Sequence, residues 1–250
     1  MTHDVARRAM LAANLTAVHE RIAAACRAAA RDPGEVRLIV VTKTYPAADV
    51  LSLVSLGVTD VGENRDQEAA PKAAEVAATL RGAAEADAPP RWHFVGQLQR
   101  NKCRSVVRYA DLVHTVDSVR LARALDGAAQ QRPDGGPGID ALVQVSIDGD
   151  PGRGGAVAAP GADEDVALDR VLAAVATADG LRLRGLMAVA PLQWEPERAF
   201  AELAAVHARV RTEYPEATLL SAGMSGDLEP AIRHGATHVR VGSAILGNRP

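Results

Sequence analysis

The chain has 250 residues, of which 48% are apolar and 3% aromatic, and its formal charge at neutral pH is −3. Such a length accommodates one large domain or two small ones, and the charge argues against a dedicated binder of nucleic acid or of an anionic membrane. Two cysteines cannot form a disulfide framework, which indicates a reducing compartment. Because the sequence has neither a membrane-spanning apolar run nor the apolar segment of a signal peptide, we predict a cytoplasmic protein.

The predicted elements begin with one long helix over residues 4–31, which ends at the helix-breaking run Asp32-Pro33-Gly34. Eight short apolar runs rich in β-branched residues follow, and each is typical of a strand that is buried on both faces. We predict these strands at 36–43, 58–63, 92–96, 111–116, 140–147, 183–189, 218–223 and 238–245. Segments with helical periodicity separate the strands, and the clearest lie at 164–178 and 196–213.

Strands that alternate with helices predict a parallel sheet, and eight such repeats favour a closed barrel. We therefore predict an α/β fold, a single (β/α)8 TIM barrel with an extra N-terminal helix, in which residues 1–250 form one domain. An open doubly wound sheet is the alternative. It predicts a glycine-rich turn after the first strand, where this chain has Thr42-Lys43-Thr44-Tyr45-Pro46.

The segment 148–163, after the fifth strand, is long and rich in glycine and proline. In a barrel it falls on the face where active sites lie. Two interpretations stay open, a lid over the site and a tolerated surface insertion.

Lys43 ends the first predicted strand, but a lysine at a strand end most often extends its amine to solvent. Residues near the other end of the chain strengthen a functional interpretation. Ser225 and Gly226 precede a helix and leave backbone N–H groups free for a phosphate. Gly242 and Ser243 follow the eighth strand, and the loops after strands seven and eight are the usual phosphate site of such barrels.

Arg240 lies in the eighth strand, where alternation places it on the same face as Gly242. An inward arginine requires a partner, which is either an internal carboxylate such as Glu63 or a ring nitrogen of a ligand. Asn64 lies at the end of the second strand, where it either bonds a ligand oxygen or caps the next helix.

Several other polar residues have simpler interpretations. His93, in the third strand, is favoured as a core histidine with satisfied hydrogen bonds. The histidines at 114, 234 and 238 lack metal-ligand spacing, so we predict no metal. The basic residues at 100, 102, 104 and 108 are more typical of a solvated helix face than of a site for RNA or phosphate.

A series of motifs occurs in order along nearly the whole chain, from about residue 5 to 249. It includes Val40-Val41-Thr42-Lys43-Thr44, Gly62-Glu63-Asn64, Trp92-His93-Phe94-Val95-Gly96, Gly223-Met224-Ser225-Gly226-Asp227 and Val239-Arg240-Val241-Gly242-Ser243. Together the series resembles the pyridoxal phosphate homeostasis protein family, whose barrel is similar to the N-terminal domain of alanine racemase.

The resemblance implies cofactor contacts for seven residues, which are Lys43, Asn64, Met224, Ser225, Arg240, Gly242 and Ser243. It implies that Lys43 holds pyridoxal 5′-phosphate as a Schiff base and that Arg240 faces the pyridine nitrogen. The phosphate would lie against Ser225, Gly242 and Ser243, with Met224 in its loop and Asn64 beside the cofactor. A carrier in intracellular vitamin B6 homeostasis is implied rather than an enzyme, with no catalytic residues.

A racemase-like enzyme dependent on the same cofactor is the chief alternative, and it requires a base on each face of the substrate. In alanine racemase the second base is a tyrosine of a further domain, and we expect no such domain here because the sequence ends at Pro250. A phosphosugar isomerase or aldolase would use Lys43 and the phosphate loops, but it does not explain an inward Arg240. The expected partners of a monomeric carrier are the cofactor and recipient apo-enzymes or small amines.

Overall fold

The computed structural model describes residues 2–82, 88–132, 135–136 and 138–247, so the predicted domain 1–250 includes short segments outside the described residues. Within the described ranges, eight strands form a parallel barrel. They are β1 (Arg37–Val41), β2 (Asp60–Glu63), β3 (Arg91–Phe94), β4 (Leu112–Val116), β5 (Ile139–Ser146), β7 (Leu181–Met187), β8 (Leu219–Ser221) and β9 (His238–Val241). A two-residue strand, β6 (Ala156–Val157), is added outside the ring against β5.

The barrel is closed by the pairing of the first strand of the chain with the last. β1 lies between β2 and β9, and the pairing of β4 with β5 joins the two ends of the sheet. The predicted TIM barrel is therefore confirmed, and each of the eight predicted strands has its counterpart in the ring. In a parallel barrel all carboxyl ends of the strands meet at one face, so the residues that follow the strands are brought together there.

The helices lie outside the ring. Those described are α1 (Thr2–Ala28), α2 (Ala47–Val54), α3 (Asp66–Gly82), α4 (Cys103–Val106), α5 (Val119–Gln130), α6 (Leu168–Ala176), α7 (Pro196–Glu213), α8 (Leu228–Arg233) and α9 (Ser243–Leu246). The long N-terminal helix and the helix predicted at 196–213 are confirmed. None of the described helices has both the length and the apolar character needed to cross a membrane.

The start of the helix predicted at 164–178 and the end of the last predicted strand each differ from the structure by four residues. The helix predicted from 164 begins at Leu168, because residues 164–166 form a turn in which the Asp163 carbonyl accepts the Ala167 N–H at 2.8 Å. The Val166 carbonyl accepts the Val157 N–H at 2.7 Å, which holds this turn beside β6. The last strand, predicted to 245, ends at Val241. The Gly242 carbonyl accepts the N–H groups of Ile245 and Leu246, which turns this apolar run into the short helix α9. Short apolar runs do not distinguish strand from helix by periodicity.

Helix α1 packs along one side of the barrel against α2, α8 and α9. Its buried residues recur every three or four positions, as expected for a helix that buries one apolar face. They include Leu11, Leu15, Val18, Ile22 and Cys26. This face belongs to the hydrophobic cluster that surrounds β1 and β9. The N-terminal helix therefore packs in the same core as the first and last strands of the barrel.

Candidate functional site

A cavity of about 460 Å³ opens at the carboxyl ends of the strands. The structure brings all seven residues predicted from the sequence to the walls of this cavity: Lys43, Asn64, Met224, Ser225, Arg240, Gly242 and Ser243. Apolar side chains complete the walls, among them Val41, Val95, Met187 and Val189. No aspartate or glutamate belongs to the described lining, so Lys43 and Arg240 give the cavity a positive charge that suits an anionic ligand.

Lys43 is carried by a tight turn directly after β1. The Tyr45 N–H donates to the Thr42 carbonyl at 3.1 Å, and Thr44 occupies the left-handed region with a φ of 69°. A β-branched residue rarely adopts this conformation, and such strain often accompanies functional sites. The half-buried Lys43 amine has no hydrogen bond or ion pair with any described residue, and it is therefore available to a ligand.

Behind this turn lies a buried ion pair between Glu63 and Lys72. Lys72 Nζ lies 2.6 Å from Glu63 Oε1 and donates to the Thr42 carbonyl at 2.9 Å, while the Thr42 hydroxyl donates to the same carboxylate oxygen at 2.6 Å. Burial raises the pKa of Glu63, and hydrogen bonds from Lys72 and Thr42 oppose that rise. The pair therefore connects Thr42, the residue before Lys43, to both β2 and α3.

Arg240 is 5% exposed and extends inward from β9. Nη1 donates to Ser221 Oγ at 2.7 Å and Nη2 donates to the Ala188 carbonyl at 2.9 Å. The alternative in which Glu63 is its partner is wrong, because Glu63 faces α3 and pairs with Lys72. Burial lowers the pKa of Arg240 to about 10, which leaves the guanidinium charged at neutral pH.

Asn64 presents an unsatisfied amide oxygen at the cavity. Its Oδ1 is buried and accepts no hydrogen bond from the described residues, so the alternative of a helix cap is not observed. Asn64 packs directly against Gly96, where any Cβ would lie 2.0 Å from the Asn64 carbonyl oxygen. Buried polar atoms without partners are rare, which indicates that Asn64 Oδ1 meets a ligand or water.

The loops after β8 and β9 form the other side of the cavity. The hydroxyl groups of Ser225 and Ser243 lie 3.5 Å apart, and Gly242 brings its backbone to within close reach of β1. The N–H groups of Ser225 and Gly226 donate to no acceptor in the described part of the chain. Free N–H groups and hydroxyls directed at one volume are suited to an oxyanion such as phosphate.

Sequence reasoning missed three residues of α1 that hold these loops. The side chains of Arg7, Asn14 and Arg21 donate to the carbonyl oxygens of Leu246, Ile245 and Ser225 at 2.9–3.0 Å. Their spacing of seven residues places them in one stripe of the helix, beside the apolar face. That spacing was the available signal, but abundant alanine and scattered charge concealed it.

The loop after β5 is fastened to the neighbouring loop after β7. Arg153 bonds Asp148 within its own loop at 3.0 Å and donates to the carbonyls of Val189 and Ala190 at 2.9 and 3.1 Å. Val189 also lines the cavity. The segment therefore lies beside the site.

Comparison with known proteins gives consistent matches over nearly the full chain. The profile of the family described as "Alanine racemase, N-terminal domain" matches residues 13–250. A Mycobacterium leprae protein named "Pyridoxal phosphate homeostasis protein" is 47% identical over 237 residues, covering 93% of this chain and 90% of the relative.

Solved structures give the same likeness. An unknown protein from Bifidobacterium adolescentis has a TM-score of 0.84 at 32% identity, covering 96% of each chain. PipY of Synechococcus elongatus PCC7942, solved with PLP bound, has a TM-score of 0.74 at 31% identity, covering 95% of this chain and all of PipY.

The ion pair behind Lys43 makes a prediction about stability. Lys72→Met removes the cation that opposes the raised pKa of Glu63, so that pKa rises further. The folded protein then holds a proton that the unfolded chain releases, and the free energy of unfolding falls as the pH rises above the ordinary glutamate value of 4.5. We expect a loss of about 3–5 kcal/mol at neutral pH and a smaller loss at acidic pH, measured by urea unfolding.

The matched control is the double variant Glu63→Gln/Lys72→Met, which should recover part of the stability and remove the added pH dependence. A Lys72→Met protein with the same loss at every pH would contradict the assignment of Glu63 as the titrating group.

Proposed function

The chain belongs to the pyridoxal phosphate homeostasis protein family, and we propose that it binds pyridoxal 5′-phosphate in the cavity at the barrel mouth, with Lys43 as the attachment point. The observation that carries this proposal is a Lys43 amine without a partner among the described residues, in a cavity whose described lining includes a buried arginine and no carboxylate. PipY, a relative of the same fold, is known with PLP bound.

The residues present fit this cofactor on three counts. Within the described part of the chain, Lys43 offers a primary amine with no partner, Asn64 Oδ1 is a buried acceptor with none, and the Ser225 loop offers N–H groups that donate to no acceptor. When bound, pyridoxal phosphate supplies an aldehyde that condenses reversibly with a primary amine.

Each element of the cavity has a distinct role in the proposal. Lys43 binds the aldehyde carbon and Arg240 donates a hydrogen bond to the ring nitrogen. Ser225, Gly242 and Ser243 receive the phosphate, with Met224 beside it. Asn64 lies beside the ring and completes the polar contacts.

The role assigned to the protein is that of a carrier in vitamin B6 homeostasis rather than a racemase. Of the three tyrosines, Tyr45 alone lines the cavity, and its hydroxyl already donates to the Gly247 carbonyl at 2.8 Å. The charged Arg240 donates a hydrogen bond but does not transfer its proton, so the ring nitrogen stays neutral and withdraws electrons weakly. Both features favour binding over chemistry.

The same proposal includes delivery of the cofactor to recipient apo-enzymes or small amines by a monomeric, one-domain protein of the cytoplasm. The compartment is supported by Cys26 and Cys103, which are buried and unpaired. Burial raises the pKa of the Cys103 thiol to about 11, which protects it from oxidation.

Covalent mapping tests the attachment point. The chain has three lysines, and of the other two Lys72 is buried in its ion pair and Lys102 is partly exposed near Asp66. Borohydride reduction of the loaded protein, followed by peptide mass mapping, should find the cofactor on Lys43. The adduct should persist in Lys102→Ala and disappear in Lys43→Ala, whereas an adduct spread over several amines would remove the basis of the proposal.

The phosphate contacts are tested with two ligands that differ only in the phosphate. Ser225→Ala/Ser243→Ala should weaken pyridoxal phosphate binding about tenfold, the order expected for hydrogen bonds to a charged group, and leave pyridoxal binding unchanged. The measurement is absorbance titration of each protein with each ligand. Equal weakening for both ligands would show that the serines support the fold of the loops rather than the phosphate.

Turnover separates a carrier from a racemase. The loaded protein should convert L-alanine to D-alanine at less than about 0.01 s⁻¹, far below ordinary enzyme turnover. Chiral chromatography measures the product, with an authentic alanine racemase as the positive control. Turnover in the enzymatic range that is lost in Lys43→Ala would favour the racemase alternative, and cleavage of a sugar phosphate would favour the aldolase alternative.

A further inference from the structure

A chain of hydrogen-bonded side chains crosses the barrel interior beneath the cavity. Its members come from five strands and are each 5% exposed or less: Asp60 of β2, His93 of β3, His114 of β4, Ser221 of β8 and Arg240 of β9. Asp60 is the first residue of its strand, whereas Arg240 lines the cavity at the carboxyl ends. The chain therefore connects the two ends of the barrel.

Four contacts of hydrogen-bond length make up the chain. Asp60 Oδ1 lies 2.8 Å from His93 Nε2, and His93 Nδ1 lies 2.9 Å from His114 Nε2. His114 Nδ1 lies 3.0 Å from Ser221 Oγ, which accepts the Arg240 Nη1–H at 2.7 Å. His93 and His114 are thus core histidines with both ring nitrogens in contact, as predicted for His93.

The two ends of the chain fix its direction. A guanidinium only donates and a carboxylate only accepts. Although burial alone would raise the pKa of Asp60, hydrogen bonds from His93 and Thr59 lower it to about 2, so Asp60 is an anion. Burial lowers the pKa of His93, and it lowers the pKa of His114 well below the ordinary value, which keeps both rings neutral.

With neutral rings, only one arrangement of protons satisfies all four contacts. His93 donates from Nε2 to Asp60 and accepts at Nδ1, and His114 donates from Nε2 to His93 and accepts at Nδ1. Ser221 donates to His114 and accepts from Arg240. The neighbouring His238 makes no hydrogen bond to either ring among the described contacts, and its Nδ1 lies 2.9 Å from Thr237 Oγ1. Arg37 and Thr59 donate to the second oxygen of Asp60 and leave the first to His93.

We propose that Asp60, His93, His114 and Ser221 are positioning residues that hold Arg240 in one orientation at the cavity, set from the opposite end of the barrel. The Ser221 hydroxyl and the Ala188 carbonyl occupy two of the five N–H groups of Arg240. The remaining N–H groups have no acceptor among the described residues and are free for the ligand. The ligand part of this proposal rests on the proposed function, whereas the arrangement of protons does not.

The proton arrangement is tested on the protein without cofactor. Nitrogen-15 NMR should show His93 and His114 as neutral rings protonated at Nε2, with no change between pH 7 and pH 9. Single His→Gln variants assign the signals among the seven histidines. A charged ring, or protonation at Nδ1 in either residue, would overturn the proposed direction whatever the protein binds.

The positioning role is tested by substitution at both ends of the chain. Ser221→Ala removes the link to Arg240, and Asp60→Asn removes the terminal anion without touching the cavity. Each should weaken pyridoxal phosphate binding about tenfold and shift the absorption maximum of the bound cofactor. The matched control is Asp140→Asn, because Asp140 also lies near the start of a strand and bonds arginine, at 2.7 Å to Arg182, but contacts no histidine.

Conservative replacement separates positioning from simple support of the core. His114→Gln keeps one donor and one acceptor and should retain most of the affinity and the absorption maximum, whereas His114→Phe should lose both. If Asp60→Asn does not fold, His93→Gln and His93→Phe provide the same comparison one step along the chain. Wild-type affinity and absorption in Ser221→Ala and His114→Phe would overturn the proposal, whereas absence of binding by the wild type would overturn the proposed function alone.

Discussion

The charge of Arg240, buried without a carboxylate in contact, is the constraint around which the barrel interior is arranged. Placing an ion in a protein interior costs several kcal/mol unless hydrogen bonds replace its hydration. Ser221 and the Ala188 carbonyl replace part of it, and the anion of Asp60 lies beyond two histidines. A carboxylate in direct contact would occupy the guanidinium N–H groups that face the cavity. Asp227 favours the charged guanidinium from a distance, and no described carboxylate contacts it, so these N–H groups stay unpaired.

The alternation of β2 explains how one carboxylate serves Arg240 while another cannot. Side chains of a strand point alternately inward and outward, so Asp60 and Gly62 face the barrel interior while Val61 and Glu63 face the helices. Glu63 consequently pairs with Lys72 of α3, and Asp60 contacts His93 inside the ring. Two acidic residues three positions apart therefore have separate tasks: one holds the turn that carries Lys43, and the other terminates the chain that orients Arg240.

The barrel and the residues of the cavity wall could be predicted because both depend on the local composition of the strands and on their order along the chain. Short β-branched runs locate strands, and the parallel arrangement brings residues such as Lys43 and Ser243 to one face wherever they lie along the chain. The hydrogen-bond partners of the buried side chains could not be predicted from the sequence, because they depend on which side chains meet across neighbouring strands. The alternation of side chains along a strand, which placed Arg240 inward, also places Glu63 outward. The alternative that paired Arg240 with Glu63 could therefore have been rejected from the sequence. The contact between His93 and His114 could not be predicted from the sequence, because it depends on the stagger of neighbouring strands in the barrel.

The contacts of α1 show why the loops of the cavity depend on a distant segment. Arg7 and Asn14 donate to carbonyl oxygens of α9, the short helix that follows β9, and Arg21 donates to the Ser225 carbonyl in the loop after β8. These three side chains do not line the cavity, so they fix the backbone without using the N–H groups that are left for a ligand. Binding groups that are positioned in advance lose little entropy when the ligand arrives.

The same pre-positioning separates affinity from reactivity. In the proposed function Arg240 is a permanently charged donor to the ring nitrogen, which would strengthen binding but leave the ring a weak electron acceptor. Acid–base chemistry on a bound substrate would also require a second titrating group beside Lys43, and the one tyrosine of the cavity is engaged with the Gly247 carbonyl. Tight and reversible retention of an aldehyde requires neither an electron sink nor a second base. The arrangement of Arg240 therefore supports the proposed role of a carrier in a barrel that shares its architecture with the N-terminal domain of alanine racemase.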